Sequence, residues 1–187
     1  THMLLSAIPR LNTTTLILTH TKGLLDQTAQ RCRDWLNAEP GIIGAGKWAV
    51  RPITVGMIQT LARRGCVDIA DSFGAVLVDE AHHAPALTWA AVVNGLAARY
   101  KYGFTATAWR KDGLQDLMWR TIGPVTARVQ AADVVNAGRI IVPTVEMVET
   151  AFWFDLQDAT EWGRMVTALV QDRERNMVIV AEVLDRL

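Results

Sequence analysis

The feature that most limits what this chain can fold into is an end-to-end alternation of short β-branched runs with longer amphipathic stretches. "TTTLILTH" (residues 13–20) reads as a buried strand. "KGLLDQTAQRCRDWL" follows, with Leu24, Leu25, Ala29, Cys32 and Leu36 on one helical stripe. "PITVGM" then "IQTLARR" repeats the strand-then-helix order, and "GAVLVDEAHH" then "APALTWAAVVNGLAA" repeats it again, with Pro85 near the helix start. "YKYGFTAT" and "DGLQDLMWRTIG" make a further pair, and "QAADVVNAGRI" a short helix ending near Gly138. The pattern predicts an α/β fold with a largely parallel sheet flanked by helices. Ligands of such sheets sit beyond the carboxyl ends of the strands. The alternation stops near Gly138, so residues 1–138 are expected to form one domain and 139–187 a connecting segment and the start of another. In that tail, "IVPTVEMVETAFWF" is expected to be extended, followed by two helices parted around Gln171 to Arg173.

Composition excludes several classes. Half of the 187 residues are apolar and a fifth are charged, which is ordinary globular usage. Net charge is zero, so any nucleic-acid contact must be local rather than the work of an overall basic field. Cys32 and Cys66 lack metal-ligand spacing and read as buried, reduced thiols, which predicts a cytoplasmic protein. No apolar run is long enough to span a bilayer, and "THMLLSAIPRL" is too short and interrupted for a signal peptide.

Chemistry concentrates at strand tips. The apolar run Ala75 to Val78 ends in Asp79-Glu80. Adjacent carboxylates at a buried strand end are costly unless a cation meets them. A magnesium–nucleotide complex suits that role, with Asp79 as metal anchor and Glu80 placed to orient or deprotonate a water. Acidic residues favouring a helix N-terminus are the plainer alternative. A zinc site on Glu80, His82 and His83 is a third reading. The adjacent histidines diverge by roughly 100° on a helix and share a metal poorly. "PGIIGAGKWAV" raises a separate question, because Gly41 to Lys47 spells G-x-x-x-x-G-K, most of a phosphate-binding loop. Trp48 stands where Ser or Thr is needed, and Pro52 leads into a strand where a helix should start. Gly44, Gly46 and Lys47 are therefore expected to make a turn in a loop away from any nucleotide.

Taken together the motifs resemble those of the DEAD/DEAH-type superfamily 2 helicases, closest to the repair-translocase and phage helicase branch. "VLVDEAHH" looks like motif II, and "LILTHTKGLLDQ" is similar to motif Ia, with His20 where a proline is usual. "ITVGMIQTL" resembles the following nucleic-acid-side motif, and "GFTATAWRKDG" resembles motif III, with Ala108 in place of Pro. The stretch from Arg120 to Thr150 and "DRERNMVIV" look like the lead from the first motor domain to the second. The resemblance implies a RecA-like domain of the P-loop NTPase type, using ATP and Mg2+ to drive movement on nucleic acid, DNA in this branch. It implies that Asp79 holds the magnesium through its water shell and that Glu80 activates the attacking water. His82 would link the nucleotide to Thr105 and Thr107. Thr21, Lys22 and Gln59 would lie along the nucleic-acid backbone. Arg110, next to Trp109, is a further candidate contact.

That family needs a phosphate-binding loop ahead of motif Ia, and only residues 1–12 precede the motif Ia strand here, enough for the helix after such a loop. Thr1 fits the last residue of a Gly-Lys-Thr and equally a tag remnant. The reading is thus of an incomplete first motor domain, lacking its P-loop segment and its second motor domain, and inactive alone as an ATP hydrolase. Unpaired sheet edges make a homodimer or a swapped assembly a further expectation. A nonenzymatic scaffold or nucleic-acid-binding module with a motor-like fold is the alternative.

Overall fold

Every residue of β1 (Thr15–Thr19) is buried, so this strand must be covered on both faces and paired on both sides. In the computed structural model it pairs in parallel with β4 (Ile53–Met57) on one side and β5 (Ala75–Asp79) on the other. The structure describes residues 1–81, 86–106, 115–138 and 144–186. They divide into two units, Thr1–Arg128 and Val129–Leu187.

In the first unit β2 (Gly41–Gly44) extends the sheet beyond β4, and β3 (Lys47–Trp48) turns back antiparallel on β2. On the far side β6 (Tyr100–Phe104) pairs in parallel with β5. The six strands run in the order β3-β2-β4-β1-β5-β6. Period-two alternation splits the strand side chains between two layers. Ile17, Val55 and Leu77 face α1 (His2–Leu11) and α2 (Lys22–Leu36), against Leu4, Leu5, Ile8, Leu25 and Cys32. Leu16, Leu18, Val76 and Val78 face α3 (Ile58–Arg64) and α4 (Ala86–Asn94), against Ile58, Leu61, Trp89 and Val93. The expected α/β architecture is present, with α5 (Gln115–Ile122) closing the unit.

The second unit holds α6 (Ala131–Asn136), a segment 144–157 without regular structure, then α7 (Trp162–Gln171) and α8 (Arg173–Asp185). The break between α7 and α8 falls where the sequence placed it. Asp172 caps α8 by accepting from the Arg175 N–H at 2.7 Å. Neither α7 nor α8 contains a buried residue. No helix among the described residues is long and apolar enough to cross a membrane.

The stretch Gly41–Trp48 corrects an expectation. It is a strand hairpin rather than an open loop, and the turn residues are Ala45 and Gly46. Gly44 and Lys47 pair across it. Both turn residues have positive φ, 50° and 80°, as a two-residue hairpin turn requires. Gly41 is needed at the base, because a Cβ there would lie 2.4 Å from the Ala49 carbonyl oxygen. The four-residue and two-residue strands are too short to show a period, which hid them in the sequence.

Two predictions follow from this packing. Ala45→Asn restores the Asn-Gly pair that such turns favour and should stabilise the chain by about 0.5–1 kcal/mol; an unchanged melting temperature would count against the assigned turn. Burial pushes the Cys32 thiol up to about 11, with Arg33 opposing the shift, and burial raises Cys66 as well. Both thiols are therefore expected to resist alkylation at about pH 8 in the native state and to react in denaturant, counted by mass spectrometry.

Candidate functional site

The register of the parallel strands brings their carboxyl tips to one level. Thr19 lies opposite Met57, Leu18 opposite Val78, and Asp79 opposite Phe104. The residues that follow each strand, His20-Thr21, Ile58-Gln59, Glu80 and Thr105, therefore share one edge of the sheet.

Asp79 is 4% exposed, and a carboxylate so buried needs partners. Thr1, at the N-cap position of α1, supplies them. Its hydroxyl donates to Asp79 Oδ2 at 2.8 Å, and its α-amino group lies 3.7 Å from Asp79 Oδ1. That hydroxyl makes no cap bond to its own helix. The hydroxyl contact belongs to the threonine side chain, whereas the ion pair depends on a free amino group. The head of α1 thus points its partial positive charge at the strand tip that carries the acid.

Glu80 has φ 49°, in the left-handed region that a glutamate rarely enters. The turn at Glu80 lets the Ala81 N–H reach the Phe104 carbonyl at 3.2 Å. Strained residues of this kind gather at functional sites. Thr105 directly follows Phe104 and so sits beside the Asp79 tip on the neighbouring strand. His82, Thr107 and Arg110 lie outside the described residues, as do His83 and Trp109. Among the described residues no group of three or more His, Cys, Asp or Glu could hold a metal ion. The Thr1 hydroxyl with the Asp79 carboxylate is instead a hard two-oxygen set. It suits magnesium, which keeps several waters and takes further oxygens from phosphates.

A second group forms where β1 and β4 end. Thr21 caps α2, its Oγ1 accepting from the Leu24 N–H at 3.2 Å. Lys22 is exposed in the first turn of that helix. Gln59 reaches across to β1, its Nε2 donating to the His20 carbonyl at 2.7 Å. Gln59 is therefore held by the neighbouring strand rather than turned wholly to water. Its Oε1 is buried and has no partner among the described residues. The structure brings Thr21, Lys22 and Gln59 together, one strand away from Asp79. The G-x-x-x-x-G-K look-alike on β2 and β3 lies elsewhere. Strands β4 and β1 stand between β2 and β5, a separation of about 14 Å at ordinary strand spacing.

Two contacts had no local signal in the sequence. Thr1 and Asp79 are 78 positions apart. The Arg64 guanidinium lies over the Trp48 ring at 3.8 Å, and no spacing rule relates those residues.

With this geometry in view, comparison with known proteins is informative. A family profile described as "Type III restriction enzyme, res subunit" matches residues 1–110. "Probable helicase D10" of Escherichia phage T5 is 40% identical over 102 residues, covering 54% of this chain and 22% of that protein. "DNA 3'-5' translocase XPB2" of Sulfurisphaera tokodaii is 30% identical over 141 residues, covering 75% and 31%. The chain thus spans less than a third of the length of these curated relatives. Among solved structures, the UvsW helicase from Bacteriophage T4 superposes with a TM-score of 0.52 at 21% identity. That match covers 65% of this chain and 46% of the other, and it is a likeness of fold.

The strain at Glu80 yields a direct test. Glu80→Gly should leave a protein more stable than Glu80→Ala by about 1 kcal/mol, since only glycine enters the left-handed region without cost. Equal stabilities in urea titration would argue against the strained conformation.

Proposed function

Because the chain belongs to the family of type III restriction enzyme res subunits, and with it to the superfamily 2 helicase motors, we propose that it forms part of a motor that couples ATP hydrolysis to movement on DNA. The observation that carries this reading is the 2.8 Å bond between the Thr1 hydroxyl and the buried Asp79 carboxylate, at the head of α1. In nucleoside triphosphatases of the P-loop type, a loop Ser or Thr and an Asp at a strand end together hold magnesium. Thr1 and Asp79 are those two residue types in contact at that kind of location. Magnesium bound there supplies charge neutralisation on the transferred phosphoryl group.

The roles of the chain's own residues then follow. Thr1 and Asp79 hold the ion, and the N–H groups at the head of α1 favour phosphate oxygens. Glu80, one residue beyond the anchor and turned by its left-handed backbone, orients and deprotonates the attacking water. Thr105 stands on the adjacent tip, where a change at the nucleotide can be passed to the rest of the motor. Thr21, Lys22 and Gln59 contact the nucleic-acid backbone through hydroxyl, ammonium and amide groups, a mix suited to a chain of zero net charge.

The reading also needs a phosphate-binding segment, and the usual handedness of crossovers supports one place for its strand. Helices α1 and α2 cover the same sheet face. The chain passes from β1 through α2 to β2, toward the β3 edge. For the usual right-handed crossover, a strand entering β1 through α1 must come from the opposite side, where β6 is the edge strand among the described residues. Tyr102 on β6 is 41% exposed, in keeping with an edge that accepts another strand.

The test is a pair of variants expressed with the upstream coding sequence. Glu80→Gln is expected to bind ATP and lose turnover by about 100-fold or more, while Asp79→Asn is expected to lose magnesium-dependent nucleotide binding. Retained turnover in Glu80→Gln would remove its assigned role. Residues 1–187 alone are expected to show no DNA-stimulated hydrolysis, and measurable hydrolysis would show that no further segment is required.

A further inference from the structure

The α3 helix starts at the strand tips and carries Gln59 in its first turn, Arg63 one turn on, and Arg64 as its last residue. Gln59 and Arg63 are four positions apart and therefore share a face, about 6 Å apart along the axis. Arg63 is exposed, and its Nε donates to the Gln59 carbonyl at 3.3 Å, which keeps the side chain along the Gln59 side of the helix. Arg64 is set differently. Its guanidinium lies over the Trp48 indole, 3.8 Å from the ring centroid, and its side chain is still 52% exposed. Trp48 itself packs against the buried cluster that faces α3 and α4. The indole is thus a fixed shelf, anchored on one side by the core and covered on the other by a cation.

That arrangement bears on what can bind. An indole covered by a guanidinium offers no open face for stacking a base. A guanidinium held against an indole has already given up part of its rotamer freedom, so less is lost when it bonds an anion. Among the described residues the opposing charge paired with Arg64 is Asp68 at 3.7 Å, and both groups of that pair are more than half exposed, a geometry that contributes little. Arg63 on the Gln59 side and Arg64 on the Trp48 side spread two guanidinium groups around α3 from the strand tips toward β3.

We propose that Arg63 and Arg64, with Arg64 positioned by Trp48, form a second phosphate-contact strip that carries the nucleic-acid backbone along α3 toward the β3 edge of the sheet. The inference rests on the reading that Thr21, Lys22 and Gln59 face nucleic acid. It adds a direction to the path and two further phosphate contacts.

The experiment measures binding of residues 1–187 to fluorescein-labelled single-stranded thymidine and adenosine deoxyoligonucleotides over a range of salt concentrations. Arg63→Ala combined with Arg64→Ala should weaken binding equally for both oligonucleotides. It should also flatten the plot of log affinity against log salt by about 1.4, since each phosphate contact on a single strand contributes about 0.7. Arg64→Lys keeps the charge and loses the flat stack, so affinity should fall while the slope stays near that of the parent. Arg63→Ala alone leaves the stack untouched and should flatten the slope by about 0.7. Arg10→Ala, at the other end of the sheet, is the control and should leave the slope unchanged. Circular dichroism melts confirm that each variant is folded. If Lys22→Ala lowers affinity while Arg63→Ala and the double variant keep the parental slope, the strip is wrong and the underlying reading stands. A loss confined to one base type overturns the phosphate assignment. Absence of oligonucleotide binding by the parent chain overturns both.

Discussion

The parallel pairing of β1 with β4 and β5 is the constraint on which the remaining structure depends. All five residues of β1 are buried, and its side chains alternate between two apolar layers. A one-residue slip would move Ile17 into the layer built for Leu16 and Leu18 and invert the strand against both neighbours. Register is thus set by core packing. The same register brings Thr19, Met57, Asp79 and Phe104 to one edge. The candidate site is a consequence of how the apolar residues fit.

Two electrostatic environments share that edge. Asp79 is buried, and its carboxylate is met by the Thr1 hydroxyl at the head of α1. Around Thr21, Lys22 and Gln59 the groups are partly or fully exposed. In the proposed reading the reaction belongs to the first environment and the nucleic-acid backbone to the second. The two groups of strand tips meet on directly paired neighbours, β5 and β1.

Much of the fold was legible because its signals are local. The run Ala75–Val78 ending in two carboxylates announced β5, and the break expected around Gln171 to Arg173 falls at Asp172, which caps α8. The G-x-x-x-x-G-K stretch could be set aside from its neighbours alone, since a strand rather than a helix follows it. The hairpin itself was not legible, because strands of four and two residues show no period and their turn uses Ala-Gly rather than the usual Asn-Gly. The candidate site was legible as residue types at strand ends. Its partnerships were not. The contact of the Thr1 hydroxyl with Asp79 joins two positions that no local pattern relates.

The sequence by itself determined the alternation of strand and helix, the parallel character of the sheet, and the acids and hydroxyls at the strand tips. Each of these is encoded within a window of a few neighbouring residues, by side-chain period and backbone propensity. Only the tertiary structure decided the order of the strands, the contact of Thr1 with Asp79, the reach of Gln59 to the His20 carbonyl, and the seat of Arg64 on Trp48. These join residues far apart in the chain. They follow from which apolar faces bury one another best, a property of the packed whole that no local pattern carries.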